Sequence, residues 1–291
     1  MRPEAPESEI RAATAEEPCL IVPLDGTRAA LAAIPVAKAL AAIEGATVHI
    51  VHVGKRGLSP RDLLEKVGLA PEHATDSVLQ ARTGSPAEEI CRIVRERKGS
   101  SVVMCARTGG PGEGLELGSV AKAVLGGAHA PVVFVPAKPR PEPFALRRIV
   151  FPHDGSPGTA DAIGAATHLA RRAGAELLVL HVATATSTGE EAGTFPPPFY
   201  VDQPQHEWPT WTREFLDRLC CGCEAPRTKL ELLLLRGDPA DALVGYVTEN
   251  QVDLLVLGWR GSLAPERARV VRSLIARSPC PVLVVRPGEG A

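Results

Sequence analysis

Short, continuously apolar runs alternate along this chain with longer stretches in which apolar residues recur at helical spacing. LIV, VHIVHV, SVVMC and PVVFV in the first half are short and β-branched, the pattern of strands buried on both faces. Between them lie Ala- and Leu-rich stretches such as Ala29 to Ile43 and Ala87 to Arg97. Strand–helix alternation at this pitch predicts a parallel sheet with helices on both sides, one sheet per half.

The same pattern then recurs. Cys19 to Val53 reads beside Arg148 to Val182, with Pro23 and Pro152, Asp25 and Asp154, and His52 and His181 each 129 positions apart. Arg82 to Ala106 reads beside Arg236 to Trp259, and Lys122 to Pro136 beside Arg272 to Pro287. Matches in the same order mark a duplication. The offset grows to 153 at Pro86 and Pro239, so the second copy carries an insertion of 24 residues between His181 and Pro239. TSTGEEAGTFPPPFYVDQPQHEWPTW is the candidate; its prolines oppose regular structure, and Phe199, Tyr200, Trp208 and Trp211 can pack or grip a partner. At Pro131 and Pro281 the offset is 150, a loss of three residues around a glycine-rich loop. The organisation expected is a disordered tail over 1–17, a first domain over 18–137, a stiff linker over 138–146, and a second domain over 147–291 with its insertion at about 184–211.

Composition narrows the function classes. The 291 residues suffice for two domains, and a net charge of −2 supplies no global field for nucleic acid or an anionic membrane. Seven scattered cysteines suit a reducing compartment better than a disulfide scaffold. The polar N-terminal stretch lacks the apolar core of a signal peptide, and runs such as Leu232 to Leu235 and Val282 to Val285 are far too short to cross a bilayer. A cytoplasmic location is expected.

Ligands of parallel sheets sit at the carboxyl ends of the strands, near the topological switch point. The chemistry is therefore sought in the loops after the first and fourth strands: Asp25 and Asp154, then RTGGPGEGLELGSV (Arg107 to Val120) and GWRGSLAPERARVV (Gly258 to Val271). The first glycine stretch is no P-loop, because no Lys follows a suitably spaced Gly; nor is it G-x-G-x-x-G, because Leu117 stands at the third position. It keeps Gly118-Ser119 before a predicted helix, VAKAVLGG, where Ser can cap the backbone and free N–H groups form an anion site.

Other groups offer less. His49 and His52 on one strand point to opposite faces. His153, Asp154 and Ser156 are too close along one turn to form a relay. Cys220, Cys221 and Cys223, with His206 upstream, have C-C-x-C rather than C-x2-C spacing, which favours semi-buried or reactive thiols over a structural zinc. The run Arg92-Arg95-Glu96-Arg97-Lys98 reads as the solvated end of a helix.

PLDGT and PHDGS, VHV and LHV, GSP and GDP, SSVVMC and DLLVLG, then PVVFV and PVLVV form an ordered set in both halves. This set resembles the universal stress proteins. The resemblance implies two tandem doubly wound α/β parallel-sheet domains, flavodoxin-like or adenine nucleotide α-hydrolase-like, each of about five strands with helices on both faces. It also implies that the Asp after strand one and the valine ending strand two hold an adenosine, and that the glycines and Gly-Ser bind its phosphates. Carried over, this names Pro23, Asp25, Val53, Gly118, Ser119 and Val120 in the first half, and Asp154, Val182, Gly258 and Gly261 in the second. Each half departs from the pattern. In the first, Cys105 and Thr108 stand where the leading glycines belong; Thr108 could donate to a phosphate, and Gly109-x2-Gly112 is a shifted alternative. In the second, Ala268 and Arg269 replace Gly-Ser, and Arg269 could clamp a phosphate or point into solvent.

What the resemblance implies in function is a stress-response regulatory module that binds ATP (with or without Mg) or a related adenine nucleotide in at least one domain. Any hydrolysis would be slow and incidental, because no positioned general base is visible. Partners implied are the nucleotide, an internal pseudo-dimer of the halves, and a second chain in a homodimer; nucleic acid and membrane are not expected. The alternative is a degenerate scaffold that binds no nucleotide and works through protein contacts at Phe195 to Trp211. A related ATP pyrophosphatase or nucleotidyltransferase would need S-G-G-x-D-S or H-x-G-H at the first strand, and neither is present.

Overall fold

A computed structural model of the chain describes residues 18–106, 117–137, 143–153, 162–183, 230–259 and 265–286. The N-terminal tail, the aromatic insertion, the Cys220–Cys223 group with His206, and Thr108, Gly109, Gly112, Asp154, Ser156 and Gly261 lie outside them.

The first half runs β1 (Cys19–Pro23), α1 (Ala33–Glu44), β2 (Thr47–Gly54), α2 (Pro60–Val67), β3 (Ser77–Thr83), α3 (Pro86–Glu96), β4 (Ser101–Ala106), α4 (Ser119–Gly127) and β5 (Val132–Pro136). The second runs β6 (Arg148–Pro152), α5 (Ile163–Ala173), β7 (Glu176–Ala183), β8 (Leu230–Arg236), α6 (Pro239–Glu249), β9 (Leu254–Gly258), α7 (Pro265–Arg277) and β10 (Val282–Val285). Local chemistry sets these boundaries. Ser59 caps α2 by accepting from the Asp62 N–H (3.2 Å), with Pro60 in the first turn; Asp238 caps α6 through the N–H groups of Ala240 and Asp241, with Pro239 following. The repeat extends to helix stops: α1 ends on Gly45 (φ 66°) and α5 on Gly174 (φ 64°), a left-handed conformation that a Cβ disfavours.

Each half contributes five parallel strands, as the duplication predicts, but the expectation of one sheet per half gives way to a single ten-stranded sheet. Its order is β3-β2-β1-β4-β5-β10-β9-β6-β7-β8. The joint is antiparallel: Phe134 faces Val282, Val133 faces Leu283 and Val132 faces Val284. β5 and β10 are equivalent edge strands of the two copies, short, apolar and buried. Each would otherwise present a row of unpaired N–H and C=O groups. A twofold relation between equivalent edges lets each satisfy the other, and makes that pairing antiparallel.

Helices cover both faces. Leu20, Val22, Ile50, Val135, Phe151 and Val179 belong to a core cluster shared with α1, α2 and α5. Ile21, Val51, Met104, Phe134, Leu180 and Leu257 belong to the cluster shared with α3, α4, α6 and α7. Both clusters cross the β5–β10 joint, so apolar burial as well as hydrogen bonding unites the halves. Among the described residues no helix is long and apolar enough to cross a membrane.

Candidate functional site

The sheet order locates the switch points. In the first half β1 lies between β2 and β4, so the chain leaves β1 and β4 in opposite directions and opens a crevice at their carboxyl ends. The second half has the same arrangement between β6 and β9. Because β5 and β10 are antiparallel, the two crevices open at opposite ends of the sheet.

In the first half Pro23 ends β1 opposite Val51, and half-buried Val53 stands two residues further on, next to the last residue of β2. The following loop carries Asp25 in a turn closed on itself: Asp25 Oδ1 accepts from the Thr27 N–H (2.9 Å) and the Thr27 hydroxyl (2.6 Å). Gly26 beside it has φ +85°, and a Cβ there would stand 2.8 Å from the Lys66 carbonyl oxygen at the end of α2. Only glycine lets this loop lie so close to α2. Two further bonds lock the loop to the sheet. The Leu24 N–H donates to the Val51 carbonyl (2.8 Å), and buried His52 holds the Leu24 carbonyl with Nδ1 at 2.8 Å. A carbonyl can only accept, so His52 carries its hydrogen on Nδ1.

On the other side of the crevice, α4 starts at Ser119. The expectation that serine caps this helix is corrected: Gly118 is the cap residue, and among the described residues no side chain caps the helix start. Ser119 is exposed and Val120 half-buried in the first turn, where backbone N–H groups point out of the helix. Pro23, Asp25, Val53, Gly118, Ser119 and Val120 thus belong to the carboxyl ends of the neighbouring strands β2 and β1 and to the start of the helix after β4. Thr108 falls outside the described residues.

The second half repeats the lock. His181 Nδ1 holds the His153 carbonyl at 2.9 Å, and the His153 N–H donates to Leu180 at 2.8 Å. Val182 is half-buried at the end of β7, and Gly258 ends β9; Asp154 and Gly261 fall outside the described residues. Arg269 has a largely exposed side chain, and its Nη2 lies 3.3 Å from Asp238 Oδ2, on the carboxylate that caps α6. The role of His52 and His181 was not legible in the sequence, although their recurrence was. Trp259 was missed altogether. It is buried after Gly258, its backbone N–H donating to the Val285 carbonyl at 2.7 Å and its side chain in the core cluster with Leu257, Leu274 and Val284.

A cavity of about 780 Å³ lies elsewhere, at the seam between the halves, lined by Val36, Val135, Phe144, Arg148, Glu176 and Pro281. Its central charges, Arg148 and Glu176, are bonded to each other at 2.9 Å. Among the described residues no group of three or more His, Cys, Asp or Glu could hold a metal, and Cys19, Cys91, Cys105 and Cys280 form no disulfide.

The fold and the crevices define a class: doubly wound α/β domains with a crevice at the switch point, present in two copies. A profile of the Universal stress protein family matches residues 20–136 and again residues 145–286. The chain belongs to that family, as a tandem two-domain member. Universal stress protein YxiE of Bacillus subtilis is 30% identical over 139 residues, covering 46% of this chain and 94% of the relative. The universal stress protein in the QAH/OAS sulfhydrylase 3′ region of Thermus aquaticus is 30% identical over 153 residues, covering 48% of this chain and 99% of the relative. In fold, the chain is similar to the crystal structure of a universal stress protein from Archaeoglobus fulgidus, with TM-score 0.64 and 18% identity over 93% of this chain and 98% of that one.

Proposed function

We propose that the first half binds ATP or a related adenine nucleotide at the β1–β4 crevice, as the ligand-sensing part of a stress-response regulator. The observation that carries this is the pairing of a glycine-tightened Asp25 loop with a helix start whose cap residue, Gly118, has no side chain. Such a start favours anions, because unsatisfied N–H groups and the helix dipole both point at the ligand. In this proposal Pro23, Asp25 and Val53 hold the nucleoside, while Thr108, Gly118, Ser119 and Val120 hold the phosphates. Asp154, Val182, Gly258 and Gly261 are their second-half counterparts, with a smaller role because Arg269 is engaged by Asp238. The protein works in the cytoplasm, its domains spanning 18–137 and 147–291, and pairs of chains associate as homodimers.

The test is direct. Purified protein is denatured and the supernatant analysed for nucleotide, and the melting temperature is followed with Mg·ATP. The expected result is an adenine nucleotide released, or a melting shift at millimolar Mg·ATP that Asp25→Ala with Ser119→Ala abolishes. No nucleotide and no shift would overturn the proposal in favour of a scaffold acting through protein contacts. A shift that survives the double substitution would move the site to the second half.

A further inference from the structure

Two helices lead away from the first-half crevice, and the far end of each is held by an arginine of the second half. Arg172, in the last turn of α5, donates from both Nε (2.8 Å) and Nη2 (2.6 Å) to the Ile43 carbonyl near the end of α1. Arg286, just after β10, donates from Nη2 to the Leu125 and Gly126 carbonyls in the last turn of α4, both at 2.7 Å. These carbonyls are among those that a helix leaves unsatisfied, and they carry the negative end of its dipole. His168 of α5 adds a contact to Glu44 of α1 at 2.9 Å.

The near ends of the same helices form the crevice. α4 begins with Gly118-Ser119. α1 is continuous with the Asp25 loop through the turn Ala30–Ala32, and the Ala30 N–H donates to the Thr27 carbonyl (3.1 Å) while Thr27 binds Asp25. A twelve-residue helix such as α1 is a rod of roughly 18 Å, so fixing its far end constrains the loop at its near end.

The clamp acts one way. By the repeat register, Arg172 stands where the first half has Ile43, and Arg286 where it has Pro136. Neither Ile43 nor Pro136 has a side-chain donor, so the first half cannot return either contact. A symmetric duplication has become a directional one, in which the second half supplies cations to the helices of the first.

We infer that Arg172 and Arg286 are positioning residues for the first-half ligand site, holding α1 and α4 so that Asp25 and Ser119 face each other across the crevice in fixed register. This rests on the nucleotide reading proposed above only for the identity of the ligand. Arg172→Gln, Arg286→Gln and the double variant are made in the full chain. Mg·ATP affinity is measured by calorimetry, and amide hydrogen exchange is followed along α1 and α4 without ligand. The expected result is a loss of affinity of about threefold for each variant and about tenfold for the pair. Exchange should quicken at the crevice ends, residues 25–34 and 122–124, the Lys122 N–H being the first that is bonded within α4, as well as at the capped ends. Faster exchange confined to the last turns of α1 and α4, with affinity unchanged, would reduce both arginines to ordinary helix caps and overturn the inference. If the wild-type protein takes up no Mg·ATP, the nucleotide reading falls alone. Exchange at the crevice ends then decides the positioning role: quickened it stands, unchanged it is overturned.

Discussion

The amino ends of the strands, opposite each crevice, are closed in the second half and left open in the first. In the second half Arg148 binds Glu176 through Nε (2.9 Å) and the Asn250 carbonyl through Nη1 (2.6 Å), while Asp253 Oδ2 accepts from the N–H groups of Arg147 and Arg148, both at 2.9 Å. These bonds tie β6 to β7 and to the approach to β9. The first half has Cys19, Thr47, Arg97 and Ser100 at the positions of Arg148, Glu176, Asn250 and Asp253. There, both ring nitrogens of fully buried His49, Nη1 of Arg97 and Oγ of Ser100 have no hydrogen-bond partner among the described residues. Leu178 occupies the second-half position of His49. The backbone thus repeats faithfully while its polar closure does not. Parallel-strand pairing needs only apolar runs in register, whereas a polar network must be complete to stabilise. The better-tied half is also the one that supplies Arg172 and Arg286, as a support should be.

Five substitutions would break or sharpen this contrast. The largest effect is expected at the joint itself. Phe134 is 1% exposed on β5, and Phe134→Ala should cost about 4 kcal/mol, whereas Val284→Ala at the equivalent place on β10 should cost about 2 kcal/mol. Equal losses in urea unfolding would mean that the two sides of the joint carry the same load.

Next comes Asp253→Ala, which strands two backbone N–H groups and should cost about 2 kcal/mol. A loss below about 0.5 kcal/mol would show that solvent replaces the carboxylate and that the second half is not tied there.

His49 is a test of pH dependence. Burial, and secondarily the charge of Arg97, lower its pKa from 6.5 to about 4. The unfolded chain therefore binds the extra proton first, so this residue's contribution is fully present above pH 6.5 and lost as pH falls toward 4. His49→Leu, which copies the second half, should flatten the stability slope in that window and add about 1 kcal/mol at neutral pH by removing two unpaired ring nitrogens. An unchanged slope between pH 6.5 and 4 would remove His49 from the acid response. The smallest effect is expected from Ser100→Ala, within about 0.5 kcal/mol of wild type, because its hydroxyl makes no bond to lose. A cost comparable to that of Asp253→Ala would mean that Ser100 is bonded in solution and that the two ends are equivalent.

Much of the molecule was legible before any coordinates. Strand runs such as LIV and PVVFV and the 129-position register act within a few residues of chain or by simple repetition. The crevice loops were legible for the same reason, since switch-point geometry follows from strand–helix alternation. Less visible was what each polar side chain does there. Ser119 looked like a cap, but Gly118 takes that position; Arg97 looked solvated within its charge run, but one of its nitrogens is buried beside the His49 strand. Contacts of this kind join residues far apart in the chain, and no local spacing encodes them.

By itself, then, the sequence determined a duplicated, doubly wound α/β chain and the loops in which to look for a ligand, because periodicity and turn chemistry are local. Only the tertiary structure decided that β5 and β10 merge two sheets into one, because an exposed edge is satisfied by whatever strand reaches it. The same packing decided that Arg172 and Arg286 act across the joint and not within their own half. Which carbonyl a long cationic side chain can reach depends on where packing sets two helix ends, and that is a property of the assembled core.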